Sequence, residues 1–237
     1  MKTTPKYIYT ILFETFGSQD WWPMDHSHHT ENNTDPRFEV MIGAILTQNT
    51  AWKNVEKAIY KLKQNNLLSI KRLVIADIDL IKESIRSSGY FNQKAKRLQY
   101  LARHLHHNYN DDLNQFFSKP ITELREELLS LHGIGPETAD SILLYAAKKP
   151  VFVVDAYTKR ICKRIPLPIN TDSYESIQEF FQTNLTPFYS NHDIVKVYNE
   201  LHALIVHLGK YHCKPKPLCS QCPLLDFCQY GIKNVRN

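Results

Sequence analysis

Glycine is scarce in this 237-residue chain, with only 7 residues, and long alternating runs of Val, Ile and Thr are missing too. Without turn glycines and β-branched alternation, helix is the expected state. No apolar run reaches the roughly 20 residues that a membrane helix needs. Met1, Lys2, Thr3, Thr4 and Pro5 lack the basic-then-apolar pattern of a secretory leader. We therefore expect a cytoplasmic protein. Charge of one sign does not dominate: 29 Lys and Arg against 24 Asp and Glu leave +5, which permits a polyanionic partner without requiring one. Cysteine is nearly absent until the C-terminus, where four of the 5 fall between 213 and 228. In a reducing compartment such crowding points to a metal site rather than to disulfides.

What the chain does contain is helix punctuation. Thr4-Pro5 opens a helix with Ile8, Ile11, Leu12 and Phe16 on one face, and Gly17 stops it. Residues 17–35 read as a polar loop, broken by Trp21, Trp22 and Pro23. Asp35-Pro36 opens a helix with Phe38, Met41, Ile42 and Ile45 inward, and the next buries Val55, Ala58, Ile59 and Leu62. Two short helices fill 69–88, and further helices are expected at 92–107, 112–118, 121–131, 136–148, 155–165, 173–184 and 193–208. Only Val151–Val154 looks β-like, and we read it as an extended linker. About ten helices with short connections describe an all-α protein.

The most informative stretch runs from Leu131 through His132, Gly133, Ile134, Gly135, Pro136, Glu137 and Thr138 to Ala139. Two glycines between helices allow a tight turn and close approach of another chain. The second helix, with Pro136 at its first position, presents unpaired N–H groups that suit a phosphate. Gly-x-Gly alone is equally a plain helix–helix turn. Twenty residues past Gly135, Asp155 opens a helix carrying Lys159, Arg160, Lys163 and Arg164 on one face, with Ile161, Cys162 and Ile165 inward. A carboxylate beside a basic surface can stabilise a glycosyl cation and activate water. Taken alone, Asp155 is equally a helix N-cap.

Together these residues resemble the helix-hairpin-helix and Gly/Pro-rich–Asp motif of the endonuclease III superfamily. The resemblance implies that Gly133, Ile134, Gly135 and Thr138 grip DNA phosphates and that Asp155 is the catalytic carboxylate. Lyase members carry a lysine one residue before the Thr-Ala pair, where this chain has Glu137. Without that amine no Schiff base forms, so a monofunctional glycosylase with water as nucleophile is implied. Thr47-Gln48-Asn49-Thr50 at a helix end is usually just a helix end; by resemblance, Gln48 enters the gap left by a flipped base. Gly89-Tyr90-Phe91-Asn92-x-Lys94-Ala95 fits the same family pattern.

Adjacent tryptophans in a polar loop either anchor on the core or stack on an extruded base, and composition leaves both open. Trp21-Trp22-Pro23 followed by the Thr-Gln-Asn-Thr segment is similar to the 3-methyladenine DNA glycosylase III-like branch. There Trp21, Trp22 and Trp52 would line the base pocket, with Glu137 beside it. Some members of that branch lack an iron–sulfur cluster.

Cys213-x5-Cys219-x2-Cys222-x5-Cys228 packs four thiols into a compact loop. Zinc sites more often pair two distant Cys-x2-Cys units, so a [4Fe–4S] cluster is favoured over zinc. The endonuclease III family has a similar loop, usually one residue longer between the first two cysteines. Lys210, Lys214 and Lys216 would give the loop a phosphate-facing surface or a merely solvated one. Cys162 reads as a buried thiol. His26, His28 and His29 read as surface residues, and His104, His106 and His107 as helix residues without metal.

The sequence thus predicts an all-α monomer of two helical lobes. One is a six-helix barrel-like lobe, 36–149, holding the hairpin. The other joins 1–35 to 150–237, with Asp155 and the cysteine loop, and the cleft is expected between them. The expected reaction is release of an alkylated purine from double-stranded DNA by a nucleoid-associated enzyme, with Lys159 on the phosphates. Uracil, mismatched thymine or oxidised pyrimidine is the enzymatic alternative. A non-catalytic DNA-binding module is the other class.

Overall fold

The computed structural model describes residues 4–236. Met1–Thr3, read above as part of a non-leader N-terminus, and Asn237 lie outside the described residues. Among the described residues fourteen α-helices form: α1 (Pro5–Phe16), α2 (His26–Asn32), α3 (Pro36–Leu46), α4 (Trp52–Gln64), α5 (Ile70–Ile75), α6 (Ile78–Ser84) and α7 (Phe91–Tyr109). There follow α8 (Leu113–Phe117), α9 (Ile121–Ser130), α10 (Pro136–Ser141), α11 (Ala156–Arg164), α12 (Tyr174–Leu185), α13 (Asn191–Tyr211) and α14 (Gln229–Arg236). No strand occurs among the described residues, and none of their helices is long and apolar enough to cross a membrane. The chain is all-α, as its glycine-poor, helix-punctuated sequence predicts. It divides into two compact units: Trp22–Lys149, and Met1–Trp21 with Pro150–Asn237.

In Trp22–Lys149 the central element is α3, whose residues Phe38 through Leu46 are all buried. A helix apolar on every side must sit inside others, and α4, α7, α10 and the following turn pack around it. Helix α4 is one-sided and buries Val55, Ala58, Ile59 and Leu62, as its spacing predicts. The one charged residue in that buried stretch, Glu39, is only 2% exposed. It accepts from His29 Nε2 at 2.9 Å and faces Lys63 Nζ at 3.2 Å. A buried carboxylate is tolerable only when paired and hydrogen-bonded. That requirement corrects two expectations: residues 26–32 are helical rather than loop, capped by Asp25 on His28 N, and His29 is buried rather than on the surface.

In the other unit, Thr4 caps α1 through Tyr7 N, and Gly17 ends it at φ 68°. Helix α13 is the spine, packed by α1 and α11. Phe152 and the valines Val151, Val153 and Val154 are extended and buried without a neighbouring strand. Helix α12 supplies the missing partners: Gln182 Oε1 accepts from Phe152 N, Gln178 Nε2 donates to Phe152 O, and the Tyr174 hydroxyl accepts from Val154 N. These three side chains are four residues apart, on one helix face. They satisfy backbone groups that would otherwise be buried unpaired, and they deliver Asp155 to the start of α11.

Candidate active site

The hairpin forms where the glycines predict it. Helix α9 ends at Ser130, and Pro136 takes the first position of α10. Asp140, fully buried, accepts a two-pronged pair from Arg125, which fastens the two helices. Gly133 adopts φ +83°, and a Cβ there would collide with the Arg97 side chain. Gly135 is extended, and the space where its Cβ would lie is open. The fold therefore demands glycine at 133 but not at 135, where the bareness leaves the α10 amides approachable. Ile134 turns inward and is buried, while Glu137 is exposed in the first turn of α10.

The end of α3 is tied to this hairpin. Gln48 Nε2 donates to Gly133 O and to Thr138 Oγ1, each at 2.9 Å, and its Oε1 accepts from Arg97. One helical turn earlier on α7, Lys94 is 1% exposed and donates at 2.8 Å to Leu46 O, Ser88 O and Thr50 Oγ1. Thr50 Oγ1 in turn donates to Ser88 O. The ammonium thus satisfies Leu46 O, left over at the end of α3, and Ser88 O in the turn before α7. Burial, reinforced by the Arg97 charge, lowers Lys94 to about 8. The loop it holds presents Tyr90, 65% exposed and at φ +47°. Lys94 and Arg97 lie outside the site set chosen from sequence. Their i, i+3 spacing on α7 was the available signal.

Trp22 lies flat on Gly43 of α3, where any Cβ would meet its ring. The Trp52 ring stands edge-on to it at 5.1 Å between centroids, and Tyr145 follows at 5.4 Å. Tyr145 sits in a π-helical turn, Ile142–Ala146, that continues α10. Such bulges re-aim side chains and occur often at functional sites. Nothing in the sequence marks that bulge. Beside Trp52 opens a cavity of about 360 Å³, lined by Met24, Glu39, Glu56, Tyr60 and Lys63 among others. Trp21, half-buried, belongs to the other unit.

In that other unit Asp155 is the N-cap of α11, one of the two alternatives the sequence left open, and its carboxylate is buried. Its Oδ1 accepts from Thr158 N at 2.7 Å and from Thr158 Oγ1 at 2.8 Å. Its Oδ2 lies 3.8 Å from His202 Nε2 on α13. Thr158 and His202 were not anticipated from sequence. Cys162, behind Asp155, is buried, and that burial, with the Asp155 charge, pushes its thiol up to about 12.

The basic face expected on α11 is only partly a surface. Arg160 donates to Gly209 O and Cys213 O, and Arg164 to Cys213 Sγ, Lys214 O and Pro215 O. Lys163 pairs with Asp172. Lys159 stands over the Tyr174 ring at 5.6 Å. The guanidinium groups hold the cysteine loop because its irregular backbone has carbonyls that no helix satisfies.

Cys213, Cys219, Cys222 and Cys228 line one cavity, closed by Leu225 and Tyr230. Gly231 N donates to Cys228 Sγ and Asn234 Nδ2 to Cys219 Sγ. Burial and the neighbouring sulfurs push the Cys222 thiol up to about 11. Four thiolates so close need a positive partner, which is the chemistry of a metal-binding set. Among the described residues, no three His, Cys, Asp or Glu side chains are grouped around a single ion's position.

Residues 42–187 match the family model described as HhH-GPD superfamily base excision DNA repair protein. A candidate DNA repair glycosylase of Methanocaldococcus jannaschii is 44% identical over 222 residues, covering 93% of this chain and 94% of that protein. Endonuclease III of Sulfolobus acidocaldarius is 30% identical over 202 residues, 84% of this chain and 85% of that one. The crystal structure of H. pylori 3-methyladenine DNA glycosylase bound to 1,N6-ethenoadenine superposes with a TM-score of 0.70 at 27% identity, covering 88% of this chain and 98% of that chain. An endonuclease III–DNA covalent intermediate gives 0.76 at 23% identity, a likeness of fold, covering 99% of this chain and 100% of that one. With the hairpin, the helix-opening aspartate and matches over nearly its whole length, this chain belongs to the HhH-GPD superfamily of base excision DNA repair proteins and is a DNA glycosylase of the endonuclease III type.

Proposed function

We propose that the chain is a monofunctional glycosylase that binds duplex DNA and releases an alkylated purine. The observation that carries the substrate is the aromatic set Trp22, Trp52 and Tyr145 in the hairpin-bearing unit. Faces of large rings attract a flat cation, and alkylation makes a purine cationic. The Glu56 carboxylate in the adjoining cavity favours the same charge, whereas Glu39 there is already paired with Lys63. The likeness to a 3-methyladenine glycosylase bound to a modified adenine supports this choice.

In the proposed reaction the amides at Gly133, Ile134 and Gly135 and the start of α10 hold a phosphate, with Lys159 adding charge. Gln48 leaves its hairpin bonds to fill the flipped base's space, and Tyr90 stacks beside it. Trp21 joins the ring set around the base. The C1′–N bond breaks with its electron pair leaving on the base. Asp155 carboxylate stabilises the cationic sugar and takes a proton from the water that bonds to C1′. Glu137 offers no amine, so an abasic site is the product. Residues 22–149 act as the gripping unit, where the sequence put the boundary at 36, and 1–21 with 150–237 carry the chemistry.

Cys213, Cys219, Cys222 and Cys228 would hold a [4Fe–4S] cluster, whose chemistry here is to cross-link the loop. Their common cavity and N–H···S donors support a thiolate-held metal, and the compact spacing favours the iron cluster over zinc. An iron cluster is brown with absorbance near ~400 nm, and zinc is colourless.

The test is base release from duplexes containing 3-methyladenine, 7-methylguanine, uracil, a thymine–guanine mismatch or thymine glycol, with and without alkali. Methylated purine release, with strand breaks only after alkali, is expected. Release of a pyrimidine would move the substrate, and alkali-independent nicking would overturn the monofunctional assignment.

A further inference from the structure

Asp155 is held on one side by its own helix and on the other by a residue 47 positions later. Thr158 satisfies Oδ1 with two donors, and Oδ2 points to His202, both side chains being 11% exposed. That approach is built into the packing of α11 on α13. A Cβ at Gly209 would lie within 3 Å of three Tyr157 ring and stem atoms, so only glycine lets the two helices come this close. Arg160 then fixes their register by donating to Gly209 O at 2.9 Å and Cys213 O at 2.8 Å. His202 and Gly209 are seven residues apart, two turns along the same face of α13. The contact that brings α11 down on Gly209 therefore also brings His202 to Asp155.

The charge state of that imidazole decides what it can do. Burial lowers its pKa, opposed by the Asp155 charge, so the ring is neutral at neutral pH. Asp155, on α11, is the charged group facing it, and the Cys162 thiol on the same helix stays protonated, pushed up to about 12. An imidazolium here would cancel the negative charge that a cationic sugar needs. A neutral ring orients the carboxylate and leaves its charge intact. At 3.8 Å the two atoms stand just outside hydrogen-bond distance, and catalytic hydrogen bonds often tighten when substrate binds.

We propose that His202 is a positioning residue for Asp155, its imidazole donating Nε2–H to Oδ2 so that the carboxylate is fixed in one orientation. This rests on Asp155 as the catalytic carboxylate. The experiment is single-turnover base release by the full-length holoprotein, on whichever duplex of the panel the wild type processes. Binding is measured in parallel on a duplex carrying a tetrahydrofuran abasic analogue. His202→Leu is expected to slow release by roughly 10- to 100-fold, the worth of one hydrogen bond to a charged group. Affinity for the abasic analogue should change less than about threefold, a difference too small to count as a lost charged contact. His202→Gln keeps an N–H donor and is expected to retain at least about a third of the rate, since a donor in place forfeits little of the bond. The acid limb of the wild-type rate should carry one more protonation than that of His202→Gln.

A wild-type rate in His202→Leu, equal losses in the Leu and Gln variants, or a parallel loss of rate and affinity would each overturn the proposal. If His202→Leu does not fold, the Gln variant and the slope of the acid limb decide it. An Asp155→Asn protein that still releases base would instead overturn the catalytic reading beneath it.

Discussion

The two units hold their functional groups with opposite electrostatics. In Trp22–Lys149 the groups to be fixed are backbone carbonyls, and cations fix them: Lys94 takes Leu46 O and Ser88 O, while Arg97 braces Gln48, which takes Gly133 O. In the other unit the group to be fixed is a carboxylate, and neutral donors surround it: the Thr158 amide and hydroxyl. There the cations Arg160 and Arg164 are directed away, onto the cysteine loop. On the proposed reaction, the difference follows from what each group must do. A carbonyl that only shapes a turn gains from a full positive charge, since hydrogen bonds to charged groups are the stronger kind. A carboxylate that must meet a developing cation would lose its own charge to such a partner.

The largest expected effect tests the carboxylate side. Asp155→Asn should keep the cap on Thr158 through its carbonyl oxygen yet slow base release on the order of 10³-fold, as loss of a single preorganised electrostatic group does. Affinity for an abasic duplex should stay near wild type, and single-turnover kinetics with a binding titration check both. A comparable loss of affinity would mean that Asp155 serves the fold more than the reaction.

Next comes the cationic side. Lys94→Met leaves Leu46 O without its donor, while Ser88 O keeps Thr50, and should cost about 1–3 kcal/mol in urea unfolding. Its pH dependence has a defined sign. Lys94 is lowered to about 8 from the model-compound value of 10.5, so between these values the unfolded chain binds a proton that the native state has released. Stability from this group therefore rises with pH across that window. Wild-type unfolding midpoints should climb from pH 8 to 10 relative to those of Lys94→Met. An identical slope in the two proteins would remove Lys94 as a buried cation.

The two hairpin glycines sharpen the contrast within one turn. Gly133→Ala meets a positive φ and the Arg97 side chain, and should destabilise by about 1–3 kcal/mol. Gly135→Ala meets extended backbone and open space, so stability should change by less than about 0.5 kcal/mol. Its cost should appear only in abasic-duplex binding, about 3- to 10-fold, as a methyl group intrudes where a phosphate approaches. Denaturant midpoints and salt-controlled titrations separate the two. Equal destabilisation by both would show that Gly135 is needed by the fold as well.

Legibility in the sequence followed locality. Helix positions, the Pro136 start, the hairpin between α9 and α10 and the one-sided burial of α4 are all set by residues within a turn or two of each other. Local spacing and cap chemistry therefore reveal them. Even the four cysteines of the C-terminal loop announce themselves by spacing alone. The helix over 26–32 escaped because its buried face exists only to serve Glu39, on another helix. Tyr145 escaped because its placement depends on a π-helical turn that no residue type marks.

By itself, then, the sequence determined an all-α chain with a glycine hairpin, a carboxylate opening a helix twenty residues later, and a four-thiol loop. Tertiary structure decided the company these groups keep. It set Gln48 on the hairpin, Lys94 beneath the end of α3, and Trp22 on Gly43. It also turned two of the four basic residues of α11 inward, to the cysteine loop. The physical reason is common to all of these. Buried polar groups must find partners, and in a helical protein the partner sits on another helix, at a distance along the chain that no local pattern encodes.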